Sequence, residues 1–281
     1  MKAWLIYSAK DAEKNEQYIG KYFKGCRERN VDLSLLFAEN IAPGITDSEL
    51  SISCNGQRMD PPDFAICRTV YPLLTRQMEY MGIRVFNNHQ VAEICNDKQR
   101  TYQYMSSLGI PTVDTTFHRK GSSIAAQNLP KVIKPCGGHG GEGVSLVQNE
   151  EELKQKAREM EGDFILQDVA PQSGKDLRVY VIGKQIIAAM LRESEADFRA
   201  NYSLGGKASV YTLNPDETAL IGRITGAFSF GLAGIDFLFD KDNNLLFNEI
   251  EDVVGARMLY EHTDIDIAAL YLDHILKTIQ G

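Results

Sequence analysis

Lys131-Val132-Ile133-Lys134-Pro135-Cys136-Gly137-Gly138-His139-Gly140-Gly141-Glu142-Gly143-Val144 runs from an apolar stretch, through a loop in which five of seven residues are glycine, into a second apolar stretch. Gly138-x-Gly140-x-x-Gly143 matches the string G-x-G-x-x-G, but a dinucleotide site needs a helix after the glycines. Here Val144-Ser145-Leu146-Val147 reads as a strand, so the unit is strand–loop–strand, a flap. Its backbone N–H groups suit phosphate oxygens at close range, and Lys134 adds a point charge to the same phosphates. The competing reading is a surface hairpin. A P-loop is excluded, because Gly174-Lys175, Gly183-Lys184 and Gly206-Lys207 are followed by Asp, Gln and Ala.

Further along, Gly234-Ile235-Asp236-Phe237 and Phe247-Asn248-Glu249-Ile250-Glu251-Asp252 flank the turn Asp240-Lys241-Asp242-Asn243-Asn244 and read as a hairpin. Alternate side chains of a strand share a face. Glu249 and Glu251 therefore point one way, Asn248 and Ile250 the other, and Asp236 on the preceding strand is expected to face the two glutamates. Three oxygen ligands suit Mg²⁺ or Mn²⁺, which bridge to nucleotide phosphates. The plainer reading is acids exposed on a sheet edge. Phe237, Phe239 and Phe247 argue for a buried floor, where unpaired carboxylates are costly. Between flap and hairpin lie Asp176-Leu177-Arg178 and Arg199-Ala200-Asn201. The first pair shares a strand face and is either functional or a structural ion pair. Arg199 and Asn201 suit an anion and a polar transition state.

The rest of the chain supplies the frame. Its 281 residues are 43% apolar and 24% charged, ordinary for a globular protein of about two domains. The net charge of −8 falls almost wholly after residue 95 and has the wrong sign for a bulk nucleic-acid binder. No run approaches the roughly 20 apolar residues of a membrane span, and Trp4-Leu5-Ile6-Tyr7 is too short for a signal peptide core. Five scattered cysteines without a C-x-x-C pair fit free thiols in a reducing compartment, so a cytoplasmic protein is expected. Strands at 3–7, 31–37, 63–68 and 84–86 alternate with helices at 13–29, 72–81 and 89–95, which implies a parallel α/β sheet. No glycine-rich turn follows the first strand, so the dinucleotide fingerprint is missing there. After residue 96 come a helix at 98–108 capped by Asn96-Asp97, strands at 112–117, 131–134 and 144–147, a helix at 150–160 and a strand at 164–168. Long antiparallel strands at 176–182 and 185–192, a helix at 215–228, the hairpin, and a helix at 264–279 complete the expectation.

In this order, Asp97-Lys98, Lys134-Pro135 with the glycine loop, Asp176-x-Arg178, Arg199-x-Asn201 with Gly205-Gly206, Asp236 and Glu249-x-Glu251 resemble the ATP-grasp ligases. Within them the chain most resembles the RimK-type branch, which joins glutamate or another amino acid to a carboxyl group. Thr263-Asp264-Ile265-Asp266-Ile267-Ala268 resembles that branch's closing helix. The resemblance covers residues 96–281, while residues 1–95 fit the family's N-terminal domain in outline.

The resemblance implies an α/β (α+β) ATP-grasp fold with an N-terminal domain at 1–95, a flap subdomain at 96–170 and a large subdomain at 171–281. It implies that Lys98, Lys134 and the flap glycines Gly138, Gly140, Gly141 and Gly143 hold ATP phosphates. Gln167, Asp168 and Val169 would meet adenine, Asp176 would lie near the ribose, Arg178, Arg199 and Asn201 would face the transferring phosphate, and Asp236, Glu249 and Glu251 would ligate Mg²⁺. The reaction implied is ATP-dependent ligation of a small-molecule or peptide carboxylate to an amino acid through an acyl phosphate, in a homodimer or tetramer, without nucleic-acid or membrane partners. A small-molecule kinase or a non-catalytic nucleotide-binding subunit would use the same fold. Two departures bear on the substrate. The branch usually has Asn at Glu251, and a Ser-Pro-Gly stretch where this chain has Asp252-Val253-Val254-Gly255-Ala256-Arg257-Met258. His139 stands where a small hydroxyl residue is common.

Overall fold

The computed structural model describes residues 1–125, 127–138, 140–194 and 207–280. The chain opens with β1 (Lys2–Tyr7), α1 (Ala9–Lys14), α2 (Glu16–Glu28) and β2 (Asp32–Phe37). A small antiparallel sheet follows, β3 (Ile41–Thr46), β4 (Glu49–Cys54) and β5 (Gln57–Arg58). Then come β6 (Phe64–Cys67), α3 (Pro72–Tyr80), β7 (Arg84–Phe86) and α4 (His89–Cys95). Strands β2-β1-β6-β7 pair in parallel, as the alternation of strands and helices implies.

The expected helix over 13–29 is broken. Asn15 ends α1 and begins α2, and its side-chain amide donates to the Asp11 carbonyl at 2.7 Å, drawing the chain out of helical register. The sheet β3–β5 was not expected. Its turns carry Asp47, Ser48, Asn55 and Gly56 at positive φ, and Asn-Gly is a strong two-residue hairpin signal.

The middle of the chain holds α5 (Lys98–Ser107), β8 (Thr115–His118), β9 (Lys131–Pro135), β10 (Ser145–Val147), α6 (Glu150–Glu159) and β11 (Phe164–Asp168). Asp97 caps α5, accepting from the Arg100 N–H. The strands form an antiparallel sheet in the order β10-β9-β11-β8. Because β9 and β10 pair directly, the glycine segment between them is a strand–loop–strand flap.

The last part holds β12 (Lys175–Ile182), β13 (Gln185–Glu193), β14 (Lys207–Val210), α7 (Pro215–Ala227), β15 (Leu232–Phe239), β16 (Leu245–Glu251), α8 (Arg257–His262) and α9 (Ile267–Gln280). Its antiparallel sheet runs β14-β13-β12-β15-β16. Strand β14 and helix α8 are additions to the expectation, and α9 starts at Ile267 rather than 264. Asp266 sets that start, accepting from the Ala269 N–H and the Tyr260 hydroxyl. The α/β class is thus observed, with one parallel sheet and three antiparallel ones among the described residues.

Helix α9 packs on α2 and carries Ile267, Tyr271, Leu272 and Ile275 into a core shared with Leu5, Tyr22 and Phe64 of the N-terminal sheet layer. Gly25 permits the approach, since a Cβ there would lie 2.6 Å from the Leu272 methyl. Asn87 locks the same junction. Buried at 3% exposure, it donates to the carbonyls of Leu232 and Asp252 and accepts from the Gly231 N–H. The first and last parts of the chain therefore form one wall around the site.

Candidate active site

Two cavities meet beside the β15–β16 hairpin. The first lies under the flap and is lined by Lys98, Lys134, Gly138, Gly141, Gln167, Asp168, Val169, Asp176 and Glu249 among others. The second, toward the N-terminal sheet, is lined by Lys98, Gly138, Gly140, Arg178, Glu249 and Glu251 and by residues of β1, α1 and the end of β6. Lys98, Gly138, Asn248 and Glu249 border both.

Lys98 begins α5. Its N–H donates to the Cys136 carbonyl at 2.9 Å and its Nζ to the Gly138 carbonyl at 3.0 Å, tying the flap's base to the helix. Its Nζ also lies 3.8 Å from Glu249. Gly138, Gly140, Gly141 and Gly143 all have positive φ, which is unstrained only for glycine. Gly143 lines neither cavity; Pro135 would lie 3.1 Å from a Cβ there, so this glycine closes the base of the hairpin. Lys134 donates to Asn248 Oδ1 at 3.0 Å, and burial drives its pKa down to about 8 against the opposing pull of Glu249.

The Asn248 contact overturns strict alternation. Asp236 pairs with Glu249, but Phe237 pairs with Phe247, so a bulge absorbs Asn248 and turns it to the cavities. Beyond the bulge Glu249 and Glu251 share a face, and oxygens of Asp236, Glu249 and Glu251 lie within 4.8 Å of one another. Below them Phe237, Phe239 and Phe247 are at most 1% exposed.

Asp176 and Arg178 do not pair with each other. Arg178 grips Asp236 with Nε at 2.8 Å and Nη2 at 2.6 Å, and Nη2 also meets Glu251 at 2.7 Å. Arg192 grips Asp176 at 2.6 and 2.8 Å and reaches Asp236 at 2.7 Å. Burial alone would raise the Asp236 pKa, but the two guanidiniums hold it at about 2. Burial pushes the carboxyls of Glu251 and Asp176 upward. Arg192 was not singled out from sequence. Its signal is the hairpin register, which sets it opposite Asp176 across β12 and β13.

Gln167 is 1% exposed and donates to Thr115 Oγ1, and Asp168 pairs with Lys131, so their side chains are committed within the flap sheet. Arg199, Asn201 and His139 lie outside the described residues.

Two cavities thus flank a strand-borne acid cluster, one of them under a glycine flap. The chain shares this fold at full length with a D-Ala:D-Ser ligase, VanG, of Enterococcus faecalis (TM-score 0.74, 15% identity, 99% of both chains). A RimK domain ATP-grasp protein of Sphaerobacter thermophilus is as similar (TM-score 0.73, 16% identity, 98% and 99% of the two chains). Residues 95–275 match the RimK-like ATP-grasp domain, and the chain belongs to that family. A probable alpha-L-glutamate ligase of Haemophilus ducreyi is 29% identical, over 90% of this chain and 92% of the relative. The protein is an ATP-dependent carboxylate–amine ligase. Among the described residues no helix is long and apolar enough to cross a membrane.

Proposed function

We propose that ATP occupies the first cavity, that the carboxylate and amine substrates occupy the second, and that the product is an amide of a glutamate-like amino acid. The observation that carries this reading is the shared border. Lys98, Gly138, Asn248 and Glu249 stand where a γ-phosphate reaching out of one cavity would meet a carboxylate lying in the other. The glutamate-like amine is supported by the named relatives, which include beta-citrylglutamate synthase B of Homo sapiens at 24% identity over 89% of this chain and 70% of the relative.

The substrate carboxylate oxygen attacks the γ-phosphorus, the bond to the β-phosphate oxygen breaks, and ADP leaves with an acyl phosphate in place. The amine then adds to the acyl carbon, loses a proton and expels phosphate. Positioning and charge neutralisation supply most of such catalysis. Lys98 and Lys134 hold phosphate oxygens, the flap's N–H groups approach them, and the closed flap keeps water from the acyl phosphate. Glu249 and Glu251, with Asp236 behind them, are an all-oxygen set that fits Mg²⁺; Asp236 is already held by two arginines, which leaves the glutamates as the freer donors. The ion's chemistry would be neutralisation of the transferring phosphoryl group.

The test is phosphate and ADP release with ATP, Mg²⁺ and a panel of amino acids and carboxylates. Phosphate release that requires an amine supports the ligase of this specificity. ADP with a stable phosphorylated product and no amine requirement would favour phosphoryl transfer to a hydroxyl.

Lys134→Ala is expected to weaken ATP binding by about 1.5–3 kcal/mol, the scale of a charge-assisted hydrogen bond. Titration calorimetry reads this directly, and an unchanged affinity would remove Lys134 from the phosphate site.

A further inference from the structure

The second cavity holds a buried cation that the ligation chemistry does not use. Three arginines are buried among the described residues, Arg68, Arg178 and Arg192. Arg178 and Arg192 each grip a carboxylate with two nitrogens. Arg68, at 4% exposure, has no ion pair among the described residues. Its Nη2 donates to the Val254 carbonyl at 2.6 Å, and its Nε is buried without a hydrogen-bond partner. Tyrosines surround it, with the Tyr18 ring centroid 5.6 Å from the guanidinium carbon.

On the neighbouring strand, Tyr7 ends β1 at 1% exposure, and its buried hydroxyl lies within electrostatic reach of Arg68 without a well-formed hydrogen bond. Both residues line the second cavity, the one proposed for substrate, with Lys14 and Arg257. Four acids also line this cavity, and Glu249 and Glu251 among them belong to the cluster beside Lys98 and Arg178. Asp11 is engaged by Ser8 and Lys14, while Asp252 is within electrostatic reach of Arg68 without forming an ion pair with it. A buried guanidinium without a counter-ion is unfavourable unless something completes it. A carboxylate does so with two oxygens, one accepting from the guanidinium edge and one from a phenol.

We propose that Arg68 and Tyr7 anchor a second, non-reacting carboxylate of a substrate in this cavity. The inference rests on the assignment of the second cavity to substrate. The anchored group is either the further carboxylate of a dicarboxylate acceptor or the α-carboxylate of the amino-acid donor; the chemistry at Arg68 is the same for both.

The experiment is titration calorimetry on the full chain, with and without ADP and Mg²⁺, using succinate against butyrate and L-glutamate against its α-amide. Wild type is compared with Tyr7→Phe and Arg68→Lys. Tyr7→Phe deletes a buried hydroxyl that makes no well-formed hydrogen bond, so thermal stability should change little while affinity for the anchored probe falls about tenfold. Arg68→Lys keeps the charge but loses the fork, and affinity should fall by at least as much. Loss confined to succinate identifies the acceptor as the source, and loss confined to L-glutamate identifies the amine. If Arg68→Lys does not fold, Tyr7→Phe decides alone. The proposal is overturned if neither dicarboxylate binds, if each binds no better than its monocarboxylate partner, or if Tyr7→Phe leaves affinity unchanged. Failure of ADP to bind would instead count against the nucleotide cavity, with the nucleotide-free titrations still deciding the anchor.

Discussion

Arg192→Met is expected to destabilise the protein by about 3–5 kcal/mol, the cost of removing one partner from a buried ion pair. Arg192 is 3% exposed and supplies both hydrogen bonds that hold Asp176, itself 6% exposed. Without it Asp176 is a buried carboxylate with no direct counter-ion, while Asp236 keeps Arg178. The loss should depend on pH with a definite sign. Burial already holds the Asp176 pKa above its ordinary value, and losing Arg192 removes an opposing pull. The folded variant then binds more protons than the unfolded chain, so its stability falls as pH rises through the folded pKa and recovers on acidification. Denaturant midpoints of wild type and variant should therefore converge as pH is lowered from neutrality. Adding Asp176→Leu should restore most of the loss at neutral pH, because a buried pair replaced by apolar groups is often neutral or better. A pH-independent deficit, or no rescue in the double variant, would show that Arg192 acts through packing alone.

The parts of this architecture that were legible in the sequence are those where periodicity and turn chemistry agree. The β15–β16 hairpin is one. The turn at Asp240–Asn244 joins the strands, and the spacing of Glu249 and Glu251 fixes their shared face, but unbroken pairing from that turn would set Asp236 opposite Asn248; the bulge is what sets it opposite Glu249. The bulge at Asn248 was not read, because no glycine or proline marks it and a single Asn, though disfavoured in strands, does not reveal a register shift. The sheet β3–β5 was hidden by composition. Pro43 and Gly44 lie inside β3, and only its position at a sheet edge makes that proline tolerable. Asn55-Gly56 carried the opposite signal. Arg68 was illegible for another reason. Between Cys67 and Thr69 it looks like any strand-end cation, and only its burial without an ion pair sets it apart.

Glu249→Ala is expected to reduce turnover by at least about a hundredfold while leaving the fold intact. Among the described residues it is the one acid that borders both cavities, and its partner Lys98 also borders both. Loss of a group that helps hold the phosphoryl-neutralising cation is worth several kcal/mol in the transition state, and each 1.4 kcal/mol is about tenfold in rate. Stability should change little, because the Lys98 contact is long at 3.8 Å, Lys98 keeps its bond to the Gly138 carbonyl, and losing Glu249 relieves repulsion among three close carboxylates. Glu251→Asn separates the two glutamates by charge. The amide oxygen can still accept from Arg178, so the buried guanidinium keeps a partner, but the site loses one formal charge. Turnover at saturating Mg²⁺ should persist, with more Mg²⁺ required for half-maximal rate. The two variants thus give opposite signatures in one Mg²⁺ titration: Glu249→Ala lowers the plateau, Glu251→Asn shifts the midpoint. A wild-type plateau for Glu249→Ala at saturating Mg²⁺ would mean that this acid cluster does not hold the catalytic cation, and Asp236 with its two arginines would then be a purely structural network beneath the site.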